Sequence, residues 1–71
     1  MAAVNARNLA INSQWTAVQP VRGWKHYRIT GRRHLNRILE IELMAVCDKS
    51  IRFWVVSAAL KDPEAWRQGW L

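Results

Sequence analysis

Ile38-Leu39-Glu40-Ile41-Glu42-Leu43-Met44-Ala45-Val46-Cys47-Asp48-Lys49-Ser50-Ile51-Arg52-Phe53-Trp54-Val55-Val56 decides the fold of this chain. Leu39, Ile41, Leu43, Ala45 and Cys47 occupy alternate positions while Glu40 and Glu42 take the other phase, which is the period of a half-buried strand. Ile51, Phe53 and Val55 repeat that alternation against Arg52 and Trp54, and β-branched and aromatic residues dominate the second arm. Asp48-Lys49-Ser50 then reads as the turn of an antiparallel hairpin. A one-residue slip would turn the whole apolar set to solvent, so Leu39, Ile41, Leu43, Ile51, Phe53 and Val55 are expected to share one buried face.

Upstream of the hairpin, Trp15-Thr16-Ala17-Val18 reads as a first strand that stops at Pro20, which has no amide proton for a central ladder. Val21-Arg22-Gly23 connects it to a second strand from Trp24 to Thr30, with Tyr27 and Ile29 on one face and His26 and Arg28 on the other. Gly31 is expected to end that strand, leaving Gly31-Arg32-Arg33-His34-Leu35-Asn36-Arg37 as a cationic loop. Downstream, Asp62, Pro63, Glu64 and Gly69 carry the punctuation of a short helix over 62–69: a cap, a first-turn proline, an acid at the positive end and a left-handed terminus. Trp66 and Trp70 would lie on one face of it, as a lid on the sheet. Residues 1–12 are expected to form a partly ordered N-terminal segment with Val4, Leu9 and Ile11 inward, and residues 13–71 a single tryptophan-rich domain. The expected fold class is mainly β: a small bent antiparallel sheet or partly open barrel of about four strands with a short C-terminal helical turn.

A chain of 71 residues is near the size where burial of only about 60% of the unfolded surface leaves stability marginal. Neither usual staple is available. A single cysteine, Cys47, excludes an internal disulfide, and one cysteine with two distant histidines offers no zinc spacing, so no metal or cofactor is expected. Five tryptophans are the substitute, and most are expected in the core. The net charge of +6 is unevenly spread: residues 1–39 hold seven Lys and Arg and no carboxylate, whereas residues 40–71 hold all five acids against four bases. Such asymmetry presents one attractive face to an anionic partner. No apolar run reaches the roughly 18 residues of a membrane span, and Asn5, Arg7 and Asn8 interrupt any leader-like stretch. The expected location is the cytoplasm, where a lone free thiol persists.

Catalytic constellations are weak. Cys47 with His26 or His34 is the best nucleophile and base available, yet the strand alternation makes Cys47 a buried structural thiol. Glu40 and Glu42 are better partners for Arg52 or another base than an acid pair, and His26 and His34 read as surface polar residues. No phosphate-cradling loop appears among three glycines, so the chain is read as non-enzymatic. There remains a binding face: Arg22, Trp24, Lys25 and Arg28 interleave cations with an aromatic ring, and Arg32, Arg33 and Arg37 come after them. Cations neutralise phosphates and aromatic faces stack on unpaired bases, so single-stranded nucleic acid, RNA first, is the leading partner. Tryptophan and arginine also dominate protein interfaces, so a protein-interaction module or accessory subunit on an acidic protein surface is the alternative.

The blocks Ser13-Gln14-Trp15-Thr16-Ala17-Val18, Lys25-His26-Tyr27 and Leu60-Lys61-Asp62-Pro63, followed by Trp66 and Gly69-Trp70, add a further indication. In order and spacing they resemble a family of short tryptophan-rich bacterial proteins classified as a domain of unknown function, over about residues 10–71. The chain departs from that pattern at Ser57-Ala58, where a Trp-Arg pair is expected. The resemblance implies a shared fold and transfers no activity.

Overall fold

A computed structural model describes residues 9–71. Its strands are β1 (Gln14–Val21), β2 (Trp24–Leu35), β3 (Ile38–Ala45), β4 (Arg52–Val56) and β5 (Trp66–Gln68), with a 3-10 turn at Ser57–Lys61 before the last. They form one antiparallel sheet in the order β4-β3-β2-β1-β5, a meander whose final strand returns to the first. The mainly β class is therefore observed, and among the described residues there is no α-helix.

The central hairpin forms in the expected register. Leu43 faces Phe53 and Ile41 faces Val55, Ile41 and Leu43 are fully buried, and Leu39, Ile51, Phe53 and Val55 pack against them. Its turn is closed by Asp48, whose carboxylate accepts from the Ser50 amide at 3.0 Å and the Ser50 hydroxyl at 2.6 Å. These bonds favour the charged form and hold the Asp48 pKa below the usual carboxylate range. Because the turn recruits the chain early, β3 stops at Ala45 and Cys47 lies exposed outside it, not buried as the alternation suggested.

Strand β2 runs on through the residues expected to loop. Gly31 interrupts nothing: a Cβ there would come within 3.1 Å of Trp54 Cη2 and 3.2 Å of Glu42 Cβ, so the missing side chain makes room for an indole. Thr30 forms a bulge, since Ile29 faces Leu43 and Gly31 faces Glu42. Leu35 then faces Ile38 across Asn36 and Arg37, both left-handed (φ 52° and 67°), the two-residue turn that matches strand twist. Arg22 and Gly23 make the equivalent turn between β1 and β2, with φ of 52° and 87°. Pro20 is tolerated inside β1 because the β1–β2 register shifts between Thr16 and Val21, where its missing amide breaks no ladder bond.

The helix expected over 62–69 is a single turn succeeded by β5. The Asp62 side chain accepts from the Glu64 amide at 3.0 Å, and its carbonyl accepts from Ala65 and Trp66 at 3.0 and 2.9 Å. Beyond that turn the edge of β1 offers ladder partners, and Ala17 pairs with Trp66 and Trp15 with Gln68. The core lies on one face of the sheet, with Trp15, Tyr27, Ile29, Ile41 and Leu43 fully buried and Leu60 of the 3-10 turn joining them. Tyr27 is its hub, ring to ring with Phe53 and Trp66 at 5.5 Å each in edge-on contacts. Its hydroxyl donates to the Val21 carbonyl at 2.8 Å, and burial raises its pKa against the opposing pull of Arg22. Of the expected inward N-terminal residues, Leu9 is buried, Ile11 is exposed and Val4 lies outside the described residues.

Candidate functional site

Among the described residues the opposite face of the sheet is the more open one, with Met44 buried but Arg28, Glu40, Glu42 and Trp54 half-buried, and cross-strand rows define what it carries. One row is Gln14, Arg28, Met44 and Arg52; the next is Gly31, Glu42 and Trp54; the next is Arg33, Glu40 and Val56; Leu35 and Ile38 end it. Directly opposed residues share a face, and β3 carries Met44, Glu42, Glu40 and Ile38 at alternate positions, so all four rows lie on one side.

Two tryptophans on this face each carry an arginine guanidinium over the ring, one close and one at the outer range of a cation–π contact. The Arg33 guanidinium lies 4.0 Å from the centre of the Trp54 ring, and Arg33 Nε donates to Glu40 Oε1 at 2.7 Å. Glu42 accepts from the Thr30 hydroxyl at 3.0 Å, so neither acid of β3 confronts the solvent alone. Towards the other end of the face, the Arg28 guanidinium is 5.9 Å from the centre of the Trp70 ring. Trp70 is held there by its indole N–H, which donates to the Tyr27 carbonyl at 2.9 Å. The same segment is strapped across β1 and β2: Thr16 Oγ1 donates to the Gly69 carbonyl at 2.7 Å and accepts from the Leu71 amide at 3.0 Å, while His26 Nε2 donates to the Leu71 carbonyl at 2.9 Å.

The tryptophans thus divide. Trp15 and Trp66 are core, at 1% and 8% exposure; Trp24 and Trp70 are exposed, at 36% and 39%; Trp54 is between. Trp66 and Trp70 were expected on one face, yet they lie on opposite faces, because Trp66 packs on Tyr27 whereas Trp70 packs on His26 and Arg28, which alternate with Tyr27 on β2.

Of the binding residues expected from sequence, the fold brings Arg28 and Arg33 to the open face. Arg32 faces Ile41 and so lies on the other side. Arg22, Trp24 and Lys25 cluster at the β1–β2 turn, and Arg37 occupies the β2–β3 turn at the far end of a strand of 12 residues. These cations line a strand and its two turns instead of converging on a loop. Sequence reasoning missed Trp54 as a site residue although it occupies the polar phase of β4 beside Arg52. Glu40 pairs across the strands with a base, as expected, and that base is Arg33; Arg52 instead donates from Nε to the Lys49 carbonyl at 3.0 Å.

A shallow depression of about 350 Å³ adjoins this face, lined by Asn12, Ser13, Gln14, Gln68 and Gly69, none of them ionisable. Among the described residues no three His, Cys, Asp or Glu side chains come together, and no helix is long and apolar enough to cross a membrane.

Residues 13–71 match the family model described as tryptophan-rich protein (DUF2389). The chain belongs to this family. The function of DUF2389 is unknown, and its match spans all five strands and the Trp70 strap, so both faces of the sheet fall within the family domain. No curated protein and no solved structure gives a significant match.

Proposed function

We propose that this DUF2389 chain is a non-enzymatic cytoplasmic binding module that takes single-stranded nucleic acid, RNA in preference to DNA, across the open face of its sheet. The observation that carries the reading is the pair of tryptophan–arginine cation–π contacts, Trp54 with Arg33 and Trp70 with Arg28, on one face. Aromatic and guanidinium planes stack on any unpaired base, and the arginines neutralise the phosphates between bases. Arg52 shares a row with Arg28, which extends the cationic track onto β4. RNA is favoured because its single-stranded loops present the splayed bases that such planes accept. The side-chain amides of Asn12, Gln14 and Gln68 beside the face offer both donors and acceptors, the chemistry that meets the edge of an unpaired base.

Exposed Leu35, Ile38 and Val56 at the end of the same face favour a second reading, an interaction module or accessory subunit on an acidic protein surface. Titration of labelled single-stranded RNA and DNA at several salt concentrations separates the two. Nucleic-acid binding gives a slope of log K against log salt of about −0.7 per phosphate contacted. Trp54→Ala should lose about 1–3 kcal/mol per stacked base with little change in slope, whereas replacing Arg28 and Arg33 together should flatten the slope for unrelated sequences alike. Absence of binding even at low salt assigns the face to a protein partner.

A further inference from the structure

Arg33 makes more contacts than a surface charge needs. Its guanidinium is stacked at 4.0 Å on Trp54, and its Nε is bonded to Glu40 at 2.7 Å. Trp54 reaches that position because Gly31, in the same cross-strand row, has no side chain to displace it. The indole holds the guanidinium carbon over its ring and the Glu40 bond fixes the direction of Nε–H, so two contacts restrict one head group. Nη1 and Nη2 have no partner among the described residues, and the side chain is 48% exposed.

We infer that Arg33 is a preorganised fork for a phosphodiester, with Glu40 as its positioning residue. The inference rests on the nucleic-acid reading above and names the atoms that would take the phosphate. A guanidinium has donors on each of its edges, and with Nε engaged the free Nη1–Nη2 edge matches two oxygens of one oxyanion. A free arginine loses rotamer freedom on binding, a cost of about twofold to tenfold in affinity that Glu40 and Trp54 remove by holding it beforehand. An acidic residue beside an anion site therefore assists the anion, the reverse of what net charge alone dictates.

Two substitutions at Glu40 separate charge from orientation. Glu40→Gln removes the charge and keeps an oxygen that accepts from Arg33 Nε; Glu40→Met removes the same charge and the acceptor as well. With single-stranded oligouridine at moderate salt, Glu40→Met should bind about twofold to tenfold more weakly than Glu40→Gln. Arg33→Lys, which keeps the charge but neither fork nor stack, should lose about tenfold or more. Equal affinities for the Gln and Met variants would overturn the fork while leaving nucleic-acid binding by the native chain intact. A parallel titration with inorganic phosphate and with acetate, monitored at the Arg33 Nε–H resonance, reads the fork without RNA. A response to phosphate that exceeds the response to acetate supports it. A response to acetate alone assigns the fork to a carboxylate partner and overturns the phosphodiester, and failure of the native chain to bind RNA in that case overturns the parent reading too.

Discussion

The two faces of one sheet use the same residue type for opposite ends. On the covered face Trp15 and Trp66 contribute hydrophobic area to a core centred on Tyr27, whose ring Trp66 meets edge-on. On the open face Trp54 and Trp70 each meet a guanidinium and keep part of the ring in water. The difference lies in what packs against each indole: apolar neighbours close over it on one side, and arginines with long, hydrated heads leave it accessible on the other.

The comparison breaks if both faces respond alike to truncation. Trp66→Ala should cost about 3–5 kcal/mol, enough to unfold a domain of this size, because it removes both the core ring and the anchor of β5. Trp54→Ala should cost about 0.5–1 kcal/mol, the value of an exposed cation–π contact. Chemical denaturation of the pair checks this, and equal losses would mean that the open face is a second core.

The hub of the covered face can be tested through its hydroxyl. Tyr27→Phe should destabilise by about 1–3 kcal/mol, since the carbonyls of Val21 and Trp24 lose their donor. Its pH signature has a defined sign: burial raises the folded pKa above the ordinary 10.0, so the contribution is fully present below that value and is lost as pH rises through the folded pKa. Stability measured across the alkaline range should fall for the native chain and flatten for Tyr27→Phe.

At the boundary between the faces, Arg37→Gly should stabilise the fold by about 0.5–1 kcal/mol, because an L side chain is disfavoured at φ 67° and Asn-Gly is the preferred pair for such a turn. If the same variant binds RNA less well, the arginine is kept at the tip for its charge. The smallest effect belongs to the β3–β4 turn. The Asp48 pKa is depressed by bonds from Ser50, so this contribution is present above the unfolded value and fades as pH falls through the folded one. Asp48 lies in a turn whose next residues, Lys49 and Ser50, are exposed, and Asp48→Ala should shift only the acid limb of a pH–stability curve, slightly.

Legibility in the sequence tracked the range of the interaction. The central hairpin was readable because a period of two over Leu39 to Val55 is a local pattern with one buried solution. The strand at 66–68 was not, because Asp62-Pro63-Glu64 is an authentic turn signal and only the edge of β1, some 50 residues away in sequence, draws Trp66, Arg67 and Gln68 out into β5. Gly31 misled for a related reason. It reads as a breaker unless Trp54 is known to need the space, and Trp54 sits two strands away. Asn36-Arg37 hid a turn inside what composition made a charged loop, since only the first of these residues is at ease in a left-handed conformation.

By itself the sequence determined the β class, the buried side of the hairpin, the acid-free first half and the motif blocks that mark the family domain. Each depends on residue order or on spacings of a few positions. Tertiary structure alone decided which tryptophans are core and which cations share a face, because a side chain's neighbours across a sheet come from strands far apart in the chain. Arg33 shows the limit most plainly: its stack and its ion pair join residues from β2, β3 and β4, and only the pairing register of those strands brings Trp54 and Glu40 within reach of one guanidinium.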